Sequence, residues 1–198
     1  MIEKCVIPEL HLVQGPVNHL IWKGIVPIIG EEKVLLWTKK FGFIPKEYHG
    51  KIFEGNACRR LLKEADALLD YEICKDVGPL PLVPFVSALK AMDKVVECCF
   101  STKKVGENLD DHIEKFKLAY KSTGVSETLK VHVIMEHLKN CLSYLDGRGL
   151  GLWSEQAGES VHREFLKFWD KYKINLLEDS SYAERLKRAV VEFSSLHI

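Results

Sequence analysis

Apolar residues recur at helical intervals through most of the second half of the chain. Phe85, Leu89, Met92, Val96 and Cys99 form one stripe, and Leu109, Ile113, Phe116 and Tyr120 a second. A third runs through Val131, Ile134, Leu138, Cys141 and Leu145. Steps of three and four residues place each set on one face of an α-helix. Gly106 and Gly124 punctuate the first two stripes, and Ser126 precedes the third as a candidate cap. A fourth helix is expected from Ser154 onward, with Ala157, Val161, Phe165, Phe168 and Tyr172 in line. Ser154 suits its N-cap, and Glu155 suits the positive end of its dipole. Tyr182 to Leu196 predicts a closing helix through Leu186, Ala189, Val190 and Phe193. No stretch alternates as a strand does, so the pattern predicts an all-α, multi-helix bundle.

The first half is broken by proline. All seven prolines lie at or before Pro84. Pro8 to Pro16 reads as an extended segment and turn, with Pro16 near a helix start. Asn18 to Val26 is a short helix limited by Gly24 and Pro27, and Glu31–Lys40 is another. Glu54–Tyr71 is a longer helix whose buried face is Ala57, Leu61, Ala65 and Leu68. The run 76–84 holds three prolines and reads as a hinge, because closely spaced prolines resist helix. Three regions are therefore expected: an irregular and helical 1–75, a hinge at 76–84, and a helical bundle over 85–198.

Composition narrows the classes. The 198 residues carry no formal net charge, which argues against a uniformly basic nucleic-acid coat. No run of about 18 apolar residues exists to cross a membrane, and the first residues do not resemble a signal peptide. Six cysteines without a Cys-x-x-Cys pair fit reduced, intracellular thiols. Charge is nevertheless uneven. Lys33 to Lys63 holds eight basic and two acidic residues, a net of +6; the next thirteen hold five acids and one lysine, a net of −4. The basic block could neutralise phosphates and bind nucleic acid in a salt-dependent way, or be an ordinary lysine-rich surface.

Candidate chemistry lies mainly after residue 130. His132 and His137 are five residues apart, about 140° on a regular helix, so both could face one metal only if the helix is distorted. His137 and Cys141 share a face at i and i+4, which gives two ligands but no complete zinc site. Gly147, Gly149 and Gly151 lead into the fourth helix without the Lys-Ser/Thr of a phosphate loop. On that helix Glu155, Glu159 and His162 cluster opposite the apolar stripe, as a metal or acid–base face or as a solvated one. Cys98-Cys99 has no visible base or oxyanion site for nucleophilic work.

Taken in order, several segments resemble the C-terminal catalytic region of the V(D)J recombinase catalytic subunit and Transib-type DDE transposase family. They are Pro8-Glu-Leu-His-Leu-x-x-Gly-x-x-Asn18, Glu54-Gly-Asn-Ala-Cys-Arg-Arg-Leu61, His132-Val-Ile-Met-Glu-His137, Asp146-Gly-x-Gly-Leu-Gly-Leu-Trp153 and Ser154-Glu-Gln-Ala-Gly-Glu-Ser160, followed by Phe165 and Phe168. The resemblance implies that Glu159 is the glutamate of an Asp-Asp-Glu triad and a ligand to Mg2+ or Mn2+. It implies that His132 and His137 bind Zn2+, although the accompanying Cys-x-x-Cys is absent, and that Arg59 approaches DNA. The DNA-facing set would then be Arg59, Arg60, Lys63, Lys39, Lys40 and Lys51. Two metals about 3.5–4 Å apart need several carboxylates to hold them, and the family's two aspartates lie on an RNase H-like sheet not found in this chain. The expectation is thus the C-terminal helical part of a DDE transposase lacking the sheet, DNA-associated and nuclear, not cutting DNA alone. It would work with other transposase subunits or as a homodimer. The alternatives are a non-catalytic helical protein-interaction module, and a stand-alone metal enzyme built on Glu155, Glu159 and His162.

Overall fold

The computed structural model describes residues 9–47, 50–153, 156–172 and 181–195, without the side chains of 152–163. Helix dominates, and only two isolated antiparallel bridges, Lys46 with Ile52 and Lys104 with Arg148, interrupt it among the described residues. The chain is an all-α multi-helix bundle, as the apolar stripes predicted. It divides into two compact units, Met1–Trp153 and Ser154–Ile198.

The first unit begins with one long helical run. Helix α1 (Glu9–His19) passes directly into a π-helical segment, π1 (Leu20–Ile25), and then α2 (Val26–Ile29). Pro16 lies inside α1, not at the start of a helix. Pro27 follows at the beginning of α2, where its missing N–H falls beside the widened turn of π1. Leu12, Val13, Val17, Leu20, Ile21 and Ile25 are almost wholly buried, and this burial outweighs the breaks that the prolines suggested.

Helix α3 (Glu31–Lys39) follows, then α4 (Gly55–Lys63). The helix expected to continue to Tyr71 stops at Glu64, whose φ of −97° and ψ of 20° are not helical, and resumes as a 3-10 turn over Ala65–Leu69. Ala57, Leu61, Ala65 and Leu68 are still all buried. The short α5 (Tyr71–Cys74) leads to the proline stretch, where Leu80–Leu82 is a second 3-10 turn and Pro84 occupies the first turn of α6 (Val83–Cys99). Helix α6 packs on α4, on the Ala65–Leu69 turn and on α7 (Leu109–Ser122). Leu82 anchors the otherwise largely exposed 76–84 run to one core that spans Leu12 to Leu150, and the chain divides at Trp153/Ser154.

The third stripe becomes α8 (Leu129–His132), a second π segment, π2 (Val133–His137), and α9 (Leu138–Ser143). Thr128, not Ser126, caps it: its Oγ1 accepts from the Val131 N–H at 3.4 Å.

The second unit pairs α10 (Gln156–Tyr172) with α11 (Tyr182–Ser195). Phe193 receives the edges of Phe165 and Phe168 at centroid distances of 5.7 and 5.6 Å, and Trp169 meets Tyr182 at 5.3 Å. Glu192 accepts from Lys171 Nζ at 2.7 Å and from the Tyr172 hydroxyl at 2.5 Å.

Candidate functional site

The two histidines singled out in the sequence meet. Their ring centroids are 5.1 Å apart with planes at 67°. A regular helix would hold residues five apart on different faces, but π2 closes i→i+5 turns and brings the two rings edge to face. His132 Nδ1 lies 2.9 Å from Glu127 Oε1. A carboxylate only accepts, so Nδ1 donates to it, and in the neutral ring Nε2 is the lone-pair nitrogen. A carboxylate oriented behind an imidazole in this way also supports metal-binding histidines. Both rings are exposed. The pair supplies two donors of the four a structural zinc needs, and no group of three or more metal-binding side chains occurs among the described residues.

Glu159 falls in α10 by its backbone, while its side chain, with those of Glu155 and His162, lies outside the described residues. The glycine run before it has a clear structural cause. Val105 N–H donates to Gly147 O at 2.9 Å, Gly149 N–H to Lys103 O at 2.9 Å, and Gly151 N–H to Ser101 O at 3.1 Å. A Cβ on Gly149 would sit 2.2 Å from Ser101 O, and one on Gly151 2.7 Å from the Ser101 carbonyl carbon. Only glycine lets these backbones close.

The two N-terminal segments of the resemblance also converge. Asn18 clamps the Phe53 backbone, accepting from its N–H at 2.7 Å and donating to its carbonyl at 2.9 Å. A Cβ on Gly55 would meet Leu10 Cδ1 at 1.9 Å. Arg59 forms an ion pair with Glu9, whose side chain is only 4% exposed. Burial lowers the Arg59 pKa, and its Nε has no hydrogen-bond partner among the described residues. The geometry commits Arg59 to a carboxylate on α1.

The rest of the basic block is largely neutralised in space. Lys40 bridges Asp70 and Glu72, each at 3.1 Å; these hydrogen bonds raise its pKa. Lys51 meets Glu31 at 2.7 Å, Arg60 meets Glu64 at 2.8 Å, Lys33 meets Asp76 at 3.6 Å, and Lys46 pairs with Glu54. Lys63 lies near the carboxylates of Asp93 and Glu97 and helps lower the latter's pKa, behind the larger effect of Lys94. Of the six expected DNA-facing residues, Lys39 and Lys63 have no ion-pair partner among the described residues. The acidic run that follows the basic one in sequence folds back onto it.

The Cys58, Cys98 and Cys99 thiols are unsuited to nucleophilic work. Burial pushes Cys58 up to about 12 and raises Cys99 further; Cys98 is raised by partial burial.

Sequence reasoning missed a different surface. A cleft of about 680 Å³ lies between the first helical run and the start of α8, lined by His11, His19, Trp22, Lys23 and Lys130 among others. A neighbouring cleft of about 630 Å³ shares His19 and Lys23. Among the described residues no carboxylate lines either one. Lys130 lies more than a hundred positions from the others in the chain, so no local pattern could have joined it to them. No protein-family model, curated protein or solved structure matches the chain. No helix among the described residues is long and apolar enough to cross a membrane.

Proposed function

We propose that the chain is a DNA-associated helical module of the transposase and recombinase type, carrying Glu159 but not the two aspartates of an Asp-Asp-Glu triad. The observation that carries this reading is the meeting of His132 and His137. Two imidazoles 5.1 Å apart, one backed by Glu127, are what a histidine metal pair needs, and a spacing of five achieves it only through π2. The convergence of Pro8–Asn18 with Glu54–Leu61 is a second support, since both belong to the same resemblance. On this reading the histidine pair takes Zn2+ with ligands from elsewhere, and Glu159 joins a Mg2+ or Mn2+ site only when a partner completes the triad. That partner is another transposase subunit or a second copy, and the place of work is the nucleus. The test is duplex DNA binding by fluorescence anisotropy between about 25 and 150 mM salt. A log–log slope of roughly −0.9 per phosphate contact is expected, and no binding at the lowest salt would overturn the reading. Zinc titration by calorimetry should show uptake that His132→Ala and His137→Ala each abolish.

A second reading is a non-catalytic protein-interaction module. It is favoured by the pairing of Lys33, Lys40, Lys46, Lys51, Arg59 and Arg60 with carboxylates, which leaves the basic block little net field for phosphates. Absent DNA binding together with a co-purifying protein partner supports it.

A further inference from the structure

We infer that the cleft between α1–π1 and the start of α8 receives phosphate groups, and that it, not the 33–63 block, is where this module holds the DNA backbone. The inference rests on the DNA-associated reading and gives it a location. Four features of the molecule lead to it.

The first is charge. Lys23 and Lys130 are exposed, both line the cleft, and neither has an ion-pair partner among the described residues. His11 and His19 line the same wall, and no carboxylate does so among the described residues. A concave site of one sign, with low-dielectric walls, concentrates its field and draws in anions. Glu127, beside the start of α8, is turned to His132.

The second is construction. Gly15 gives the Lys130 stem room across α1: a Cβ there would lie 2.4 Å from Lys130 Cδ. His19 Nε2 is held 3.0 Å from the Ser126 carbonyl, and the Tyr120 hydroxyl donates to that same oxygen at 3.0 Å. The segment that brings Lys130 to the cleft is thus pinned from both sides.

The third is the wall itself. Trp22 is stacked on Phe53, with centroids 6.0 Å apart and planes at 10°, and its buried indole N–H has no partner among the described residues. Basic groups beside an aromatic surface suit a phosphate attached to a sugar and base better than a bare ion.

The fourth is continuity. The second cleft shares His19 and Lys23 and is likewise free of carboxylates in its lining among the described residues. The two together give an extended acid-free track, as a polymer of phosphates requires.

The experiment compares wild type with Lys23→Glu/Lys130→Glu and with a matched control, Lys90→Glu/Lys115→Glu, all of the full chain and all checked by thermal melting. Lys90 and Lys115 line neither cleft. With a fluorescein-labelled duplex, the cleft variant should bind roughly ten-fold or more weakly and its salt slope should shrink by about 1.8, two contacts' worth. The control should stay within about three-fold of wild type. Equal loss in both variants, or none in the cleft variant while wild type binds, overturns the cleft and leaves the DNA reading standing. If wild type ignores the duplex, the DNA reading falls. The His11 and His19 ring signals are then followed by NMR as a mononucleotide and inorganic pyrophosphate are added. Shifts lost in the cleft variant keep a phosphate site for a free ligand; unmoved rings overturn it.

Discussion

Replacing Arg59 with alanine separates a structural arginine from a DNA-contacting one. Glu9 is 4% exposed and Arg59 30% exposed in their side chains, so the pair sits largely out of water. Removing one partner of a buried pair leaves the other charge desolvated and uncompensated, at a cost of about 3–5 kcal/mol. Partial exposure of Arg59 admits some water to the gap, which brings the expectation to about 2–4 kcal/mol. At about 2–4 °C per kcal/mol for a domain of this size, Arg59→Ala should melt about 4–16 °C lower than wild type. Glu9→Gln combined with Arg59→Met removes both charges and should recover most of the loss. Urea unfolding with the two single variants and the double variant measures this directly. The deficit should persist at about 0.5 M salt, because a buried pair is poorly screened, whereas Arg60→Ala should change stability little. A loss below about 1 kcal/mol in Arg59→Ala, or a double variant no more stable than the single ones, would refute the reasoning.

Two other outcomes follow from the geometry. Gly151→Ala forces a Cβ to 2.7 Å from the Ser101 carbonyl carbon and should cost about 1–3 kcal/mol by urea unfolding, whereas Gly30→Ala, with nothing within 4 Å of the added Cβ, bears only the strain of its φ of +82°. The Cys58 thiol, raised by burial from 9.0 to about 12, should resist iodoacetamide at pH 8 in the native state, with roughly one thiolate in ten thousand, and react only on unfolding. Its folded pKa is the higher one, so its contribution to stability is intact below about 9 and is lost as pH climbs from there toward 12, which pH-dependent melts should show.

The helices after residue 85 were legible because each depends on a local period. Val83–Cys99, Leu109–Ser122 and Tyr182–Ser195 match their stripes to within a few residues. What was not legible is set by contacts across the chain. The helix through Glu64 breaks although its apolar residues stay buried, because a 3-10 turn keeps Ala65 and Leu68 inward just as well. Pro16 sits inside α1, since burial of Val13 and Val17 on either side outweighs one missing hydrogen bond. Thr128 rather than Ser126 caps α8, leaving the Ser126 carbonyl to His19 and Tyr120. The charge block shows the limit most plainly. A count along the sequence gives +6 beside −4, but only the fold reveals that Lys40 lies against Asp70 and Glu72, and that Arg59 answers an acid fifty positions earlier. The resemblance of the Asn18 and Arg59 segments is likewise accounted for by packing, with Asn18 fastened to Phe53 and Arg59 to Glu9.

The two π segments are where these helices absorb a one-residue change in length. Leu20–Ile25 and Val133–His137 each accommodate one residue more than a regular turn would hold, and each lies in a helix that borders the acid-free cleft or the histidine pair. Deleting a single residue from either would let that turn close as a regular α-turn, so the residues beyond it keep their face. For the second segment His132 and His137 would then stand four apart, about 40° from one face. Related chains should therefore lose a residue within these segments more readily than elsewhere in the same helices.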